Sequence, residues 1–102
     1  MNSITIKELQ TKILSIDNTP NATDKYFQKL IEEVGEVSRA MRKNSRLKDT
    51  NNIKGTLEEE LYDVLYYTIC LANMYNIDLE NCAILKEKIN SLKLQQEADI
   101  LV

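Results

Sequence analysis

The chain has 102 residues, a net charge of −3 and no histidine. That length holds one domain with a single core, and the missing histidine excludes a Ser-His-Asp triad, a Cys-His pair and histidine-ligated zinc. With no basic excess and scattered lysines, nucleic-acid binding is not expected, and with 2 Gly and 1 Pro the composition favours long helices over a β-sandwich or barrel.

Thr5 followed by Glu8 makes a capping box ahead of "IKELQTKILSI", which places Ile6, Leu9, Ile13 and Leu14 at helical spacing and predicts a first helix from Thr5 to Ile16. "DNTPNAT", Asp17 to Thr23, holds the only proline and separates it from a second helix that starts near Thr23 or Asp24 and ends near Lys43. Phe27, Leu30, Val34, Val37 and Met41 are its expected core stripe. Asn44 to Gly55 has weak periodicity and reads as a loop that moves or covers a site.

Thr56 and Glu59 form a second capping box opening "LEEELYDVLYYTICLANMY", the most apolar helix. After a short connection, Asp78 caps a fourth helix carrying Leu79, Ala83, Leu85, Ile89 and Leu92, while Gln96 to Val102 show no clear period. Four helices this short leave apolar surface that one small core does not cover, so a homodimer at least is expected. Cys70 and Cys82 lack CxxC spacing and read as reduced core thiols. "MNSITIKELQ" has no apolar signal core and no run is long enough to span a membrane, so a soluble, cytoplasmic protein is expected.

With histidine absent, chemistry falls to carboxylates, lysines, hydroxyls or a bound ion. Glu33 and Glu36 stand three apart on the second helix, and Glu60 and Asp63 repeat that spacing on the third. Residues at this spacing share a helix face, so antiparallel packing of the two helices brings four carboxylates together. Asp63 lies in "LYDVLYYTICLA", where an ionised side chain needs a partner or a metal. Gly35 between the first pair is expected to admit a close neighbour, and no Lys or Arg lies within either cluster. Oxygen-only ligands select a hard ion, Mg²⁺ with Mn²⁺ as substitute. A ferritin-like di-iron site is excluded, because it needs Glu-x-x-His.

On these residues the chain resembles the MazG-like, all-α nucleoside triphosphate pyrophosphohydrolases. "EEVGE" at Glu32 to Glu36 and "EELYDVLYY" at Glu59 to Tyr67 match the family's E-x-x-E and E-x-x-D, and Lys86, Asn90 and Lys93 in "NIDLENCAILKEKINSLK" fit the spacing of its closing helix. The resemblance spans about residues 5 to 94 of a single domain covering 1–102. It implies a four-helix bundle that assembles as a homodimer or homotetramer, binds Mg²⁺, and converts a nucleoside or deoxynucleoside triphosphate to the monophosphate and pyrophosphate, for sanitation or balance of the nucleotide pool. By position it makes Glu33, Glu36, Glu60 and Asp63 the metal ligands. Glu32 and Glu36 become candidates for catalysis, Glu32 by orienting the attacking water, and Lys86, Asn90 and Lys93 candidates for substrate binding.

Two departures stand out. Lys93 is followed by Leu94 and Gln95 rather than an aromatic residue and proline. Tyr67 occupies the place where the related phosphoribosyl-ATP pyrophosphohydrolases usually carry histidine, which argues against that role. The alternatives are such a phosphoribosyl-ATP enzyme and a non-catalytic helical interaction or regulatory module.

Overall fold

In a computed structural model, which describes residues 3–49 and 51–101, the chain forms four helices: α1 (Ile6–Ile16), α2 (Thr23–Lys43), α3 (Leu57–Met74) and α4 (Leu79–Leu101). No strand occurs among the described residues, as the composition predicts. None of the helices described is long and apolar enough to cross a membrane.

The boundaries follow from local chemistry. Thr5 Oγ1 accepts the Glu8 N–H at 3.0 Å while Glu8 Oε1 accepts the Thr5 N–H at 3.0 Å, so the first capping box is complete. The second is modified. Thr56 Oγ1 accepts from Glu59 N–H at 3.2 Å, but the Glu59 carboxylate takes the N–H of Gly55 at 2.8 Å instead of that of Thr56. Gly55 has φ +76°, a left-handed conformation that presents its N–H to the helix start. α2 and α3 both close through an asparagine with positive φ, Asn44 and Asn76. The N–H of the next residue, Ser45 or Ile77, then returns to the Ala40 or Ala72 carbonyl at 3.0 and 2.9 Å. Asp78 Oδ1 accepts from Asn81 N–H at 3.2 Å at the start of α4, as expected. The residues without clear period continue that helix to Leu101.

α2 and α3 pack along most of their length and form the centre of the fold, with α1 across the C-terminal half of α3. The buried cluster is Ile13, Ala22, Tyr26, Ile69 and Cys70, with Leu9, Leu65, Tyr66, Leu71 and Met74 around it. Two polar side chains fasten this end. Gln10 is buried and spans three partners: Nε2 donates to Asn73 Oδ1 (3.1 Å) and the Ile77 carbonyl (2.9 Å), and Oε1 accepts the N–H of Leu79 (2.9 Å). It therefore ties α1 to the α3–α4 turn and satisfies a free N–H at the start of α4. Asp17 accepts the Tyr26 hydroxyl at 2.6 Å and the Tyr66 hydroxyl at 2.8 Å, joining the end of α1 to α2 and α3. Burial and the Asp17 carboxylate both push the Tyr66 hydroxyl above its usual pKa, so Tyr66 remains a donor at all physiological pH.

The inward stripe of α2 differs from the expected one. Tyr26 and Ala40 are buried and Leu30, Glu33 and Val37 half-buried, a 4-3-4-3 spacing against α3. Phe27, Ile31, Val34 and Met41 form a second stripe that is more than half exposed. The helix thus carries two apolar faces, and a count of hydrophobic spacing alone does not separate them. Cys82 is also exposed, unlike Cys70. A Cβ built at Gly35 finds no atom of the described residues within 4 Å, so among them the close approach expected at that glycine is absent.

Candidate active site

Because Glu33 lies on the inward stripe of α2, it points at α3 midway along the helix pair. Glu60 and Asp63 answer it from the N-terminal half of α3, and carboxylate oxygens of Glu33, Glu60 and Asp63 lie within 4.8 Å of one another. All three residues are half-buried. The consequence shows most strongly at Glu33, whose carboxyl is pushed up to about 7. Burial is the largest cause, followed by hydrogen bonding with Glu60 and the negative charges of Asp63, Glu60 and Glu36. Asp63 is raised too, by burial first and then by Glu59 and Glu60, with Lys54 opposing. A cluster that disfavours its own ionisation in this way gains most from a bound cation. Three converging oxygen donors, with no nitrogen or sulfur among them, suit a hard divalent ion.

The other sequence candidates are distributed around this centre. Glu36 stands one turn further along α2, near enough for its charge to act on Glu33, and pairs with Arg39 at 3.8 Å. It shares a cleft with Glu60. Glu32 points away, exposed and 3.4 Å from Lys29. Arg39 and Lys54 correct the expectation of an acidic site without counter-charges: Arg39 lies three residues beyond Glu36, and Lys54 comes from the loop before α3. The Arg39 spacing was visible in the sequence, whereas the approach of Lys54 depends on how the loop folds.

That loop is held down rather than free. The Ser45 carbonyl accepts the Leu57 N–H at 2.7 Å, and Glu58 takes both the Leu47 N–H and the Arg46 guanidinium at 2.9 Å. These bonds bring Gly55 and Ser45 to the wall of the cleft that holds Glu36 and Glu60. Lys86, Asn90 and Lys93 are elsewhere. α4 packs against α1 rather than against the middle of α2 or α3, and Asn90 Nδ2 donates to Glu87 Oε1 at 3.0 Å within its own helix. Within one chain these three do not join the carboxylates.

Comparison with known proteins agrees with this architecture. Residues 21–93 match the family model described as "MazG nucleotide pyrophosphohydrolase domain". No curated protein matches. Among solved structures, the C-tagged form of iMazG from Vibrio DAT 722 superposes with a TM-score of 0.80 at 45% identity, covering 86% of this chain and 99% of that one. The N-tagged form gives the same TM-score and identity, 0.80 and 45%, over 88% and 97% of the two chains. A match across most of the chain, including both carboxylate-bearing helices, together with identity at this level, places the protein in the MazG nucleotide pyrophosphohydrolase family.

Proposed function

We propose that the protein is a Mg²⁺-dependent pyrophosphohydrolase that converts a nucleoside or deoxynucleoside triphosphate to its monophosphate and pyrophosphate, serving sanitation or balance of the nucleotide pool in the cytoplasm. The observation that carries this reading is the convergence of Glu33, Glu60 and Asp63 from two helices within a domain of this family. These three residues would hold the ion, with Glu36, one turn further along α2, as the fourth candidate ligand; Mn²⁺ is the natural substitute. When bound, Mg²⁺ supplies positive charge against the phosphates and lowers the pKa of a water.

The chain's own residues do the rest. Glu33 and Asp63, half-buried between α2 and α3, would fix where the ion sits and so where the α-phosphate is drawn. Glu32, which faces Lys29, would turn inward to take a proton from a water that attacks opposite the departing pyrophosphate. The reaction proceeds by direct attack of water, because no histidine is present and the buried cysteine, with its thiol pushed up to about 11, is a poor nucleophile.

Assembly as a homodimer or homotetramer fits the same reading, since the exposed stripe Phe27, Ile31, Val34 and Met41 and the exposed Ile84, Leu85, Ile89 and Leu92 of α4 are apolar surfaces within one protomer. In such an assembly Lys86, Asn90 and Lys93 would reach substrate from a second copy. The direct test is pyrophosphate release from a panel of triphosphates with and without Mg²⁺. Release that requires the ion supports the reading, and its absence with every triphosphate overturns it.

A further inference from the structure

Beside the carboxylates, on the side toward the C-terminal end of α2, lies a cavity of about 240 Å³. Glu36 and Glu60 form its inner wall, Arg39 and Lys43 line it from α2, and Ser45 and Gly55 close it from the loop. A water takes up about 30 Å³ of liquid, so there is room for a polyatomic ligand. Arg39 and Lys43 are four residues apart and therefore share one helix face. The cavity is thus acidic at one end and basic at the other. That polarity suits a ligand that is anionic along its length and shares a cation with the acidic end.

Neither basic residue is accounted for by the protein alone. The Arg39–Glu36 pair is long at 3.8 Å, with side chains 57% and 46% exposed, so it contributes little. Lys43 forms no ion pair with any carboxylate among the described residues. Favourable placement at the helix C-terminus explains a cation there, but not why two share one cleft with the metal-ligand candidates. At 1.5 Å per residue, Lys43 lies roughly 10 Å further along α2 than Glu36, a span that fits the outer part of a polyphosphate.

We propose that Arg39 and Lys43 grip the two outer phosphates of the substrate, which depart together as pyrophosphate. This rests on the pyrophosphohydrolase reading above and gives it a direction: the α-phosphate at Glu33, Glu60 and Asp63, and the β- and γ-phosphates running along α2 toward Lys43. The water oxygen bonds to the α-phosphorus while the bond from that phosphorus to the α–β bridging oxygen breaks. The electron pair goes to that oxygen of pyrophosphate, and a proton of the water is released. Arg39 and Lys43 neutralise the charge that accumulates on the leaving group. A diphosphate lacks the outermost group and loses part of this grip.

The test is titration calorimetry of inorganic pyrophosphate in MgCl₂ into the wild type and the double variant Arg39→Gln/Lys43→Gln, with Mn²⁺ binding and thermal melting measured on both. The double variant should bind pyrophosphate at least about tenfold more weakly, with Mn²⁺ binding and a cooperative melt retained. Its preference for triphosphate over diphosphate in kcat/KM should fall alongside. Pyrophosphate affinity within about twofold of wild type, or no pyrophosphate binding by the wild type, would overturn the assignment. A wild type that releases pyrophosphate from triphosphates while the double variant binds it equally well would sink this inference and leave the activity standing. A wild type inert toward every triphosphate would sink the activity itself.

Discussion

Glu33 is the residue on which the account turns, since it occupies a core-facing position of α2 that a leucine would otherwise fill. Its carboxyl is raised from an ordinary 4.5 to about 7. An unfolded chain releases this proton near 4.5 whereas the folded chain holds it until about 7, so across that window the folded state binds more protons and its stability falls as pH rises. In chelator, the melting temperature of Glu33→Gln should therefore exceed that of the wild type by an amount that grows from pH 4.5 to pH 7.5; parallel curves would contradict the assignment. Adding Mg²⁺ should raise the wild-type melting temperature more at pH 8 than at pH 5, because the ligands must be deprotonated to bind. Asp63→Asn should abolish pyrophosphate release while helical circular dichroism is retained and the metal-free protein is no less stable, since a repelling charge has gone. Near wild-type turnover in that variant would remove Asp63 from the site.

At the level of the helices, capping chemistry and carboxylate spacing were the legible parts of the sequence. Thr5 with Glu8, and Asp78, cap where the sequence places them, while of the four carboxylates expected to meet, Glu33, Glu60 and Asp63 converge and Glu36 stands outside the group, beside Arg39. What escaped was which of two apolar stripes on α2 turns inward, because Tyr26 and Phe27 are adjacent and both apolar while only α3 decides between them. The tie between Asp17 and the two tyrosine hydroxyls was equally invisible, since it joins residues 49 apart in the chain through a position that reads as a turn former. Gly35 is the element-scale anomaly. With no atom near its missing Cβ, Gly35→Ala should stabilise the protomer by about 0.5–1 kcal/mol in denaturant unfolding. A loss of stability instead would mean that another copy packs against that face.

The whole molecule is extended for its length. Its radius of gyration is 17.0 Å, against about 13 Å for a compact chain of 100 residues. α4 causes this: its 23 residues, about 35 Å of helix, pack mainly against α1 and leave Ile84, Leu85, Ile89 and Leu92 exposed. An apolar face left open in this way is expected to find a partner, so sedimentation at micromolar concentration should show a dimer or tetramer, and a stable, active monomer would refute the assembly. The chemistry has a more direct test. Hydrolysis of a triphosphate in ¹⁸O-labelled water, followed by mass spectrometry of both products, identifies the phosphorus that is attacked. The label should appear in the nucleoside monophosphate, with pyrophosphate unlabelled. Label in pyrophosphate, or formation of a diphosphate and free phosphate, would contradict attack at the α-phosphorus and with it the proposed reaction.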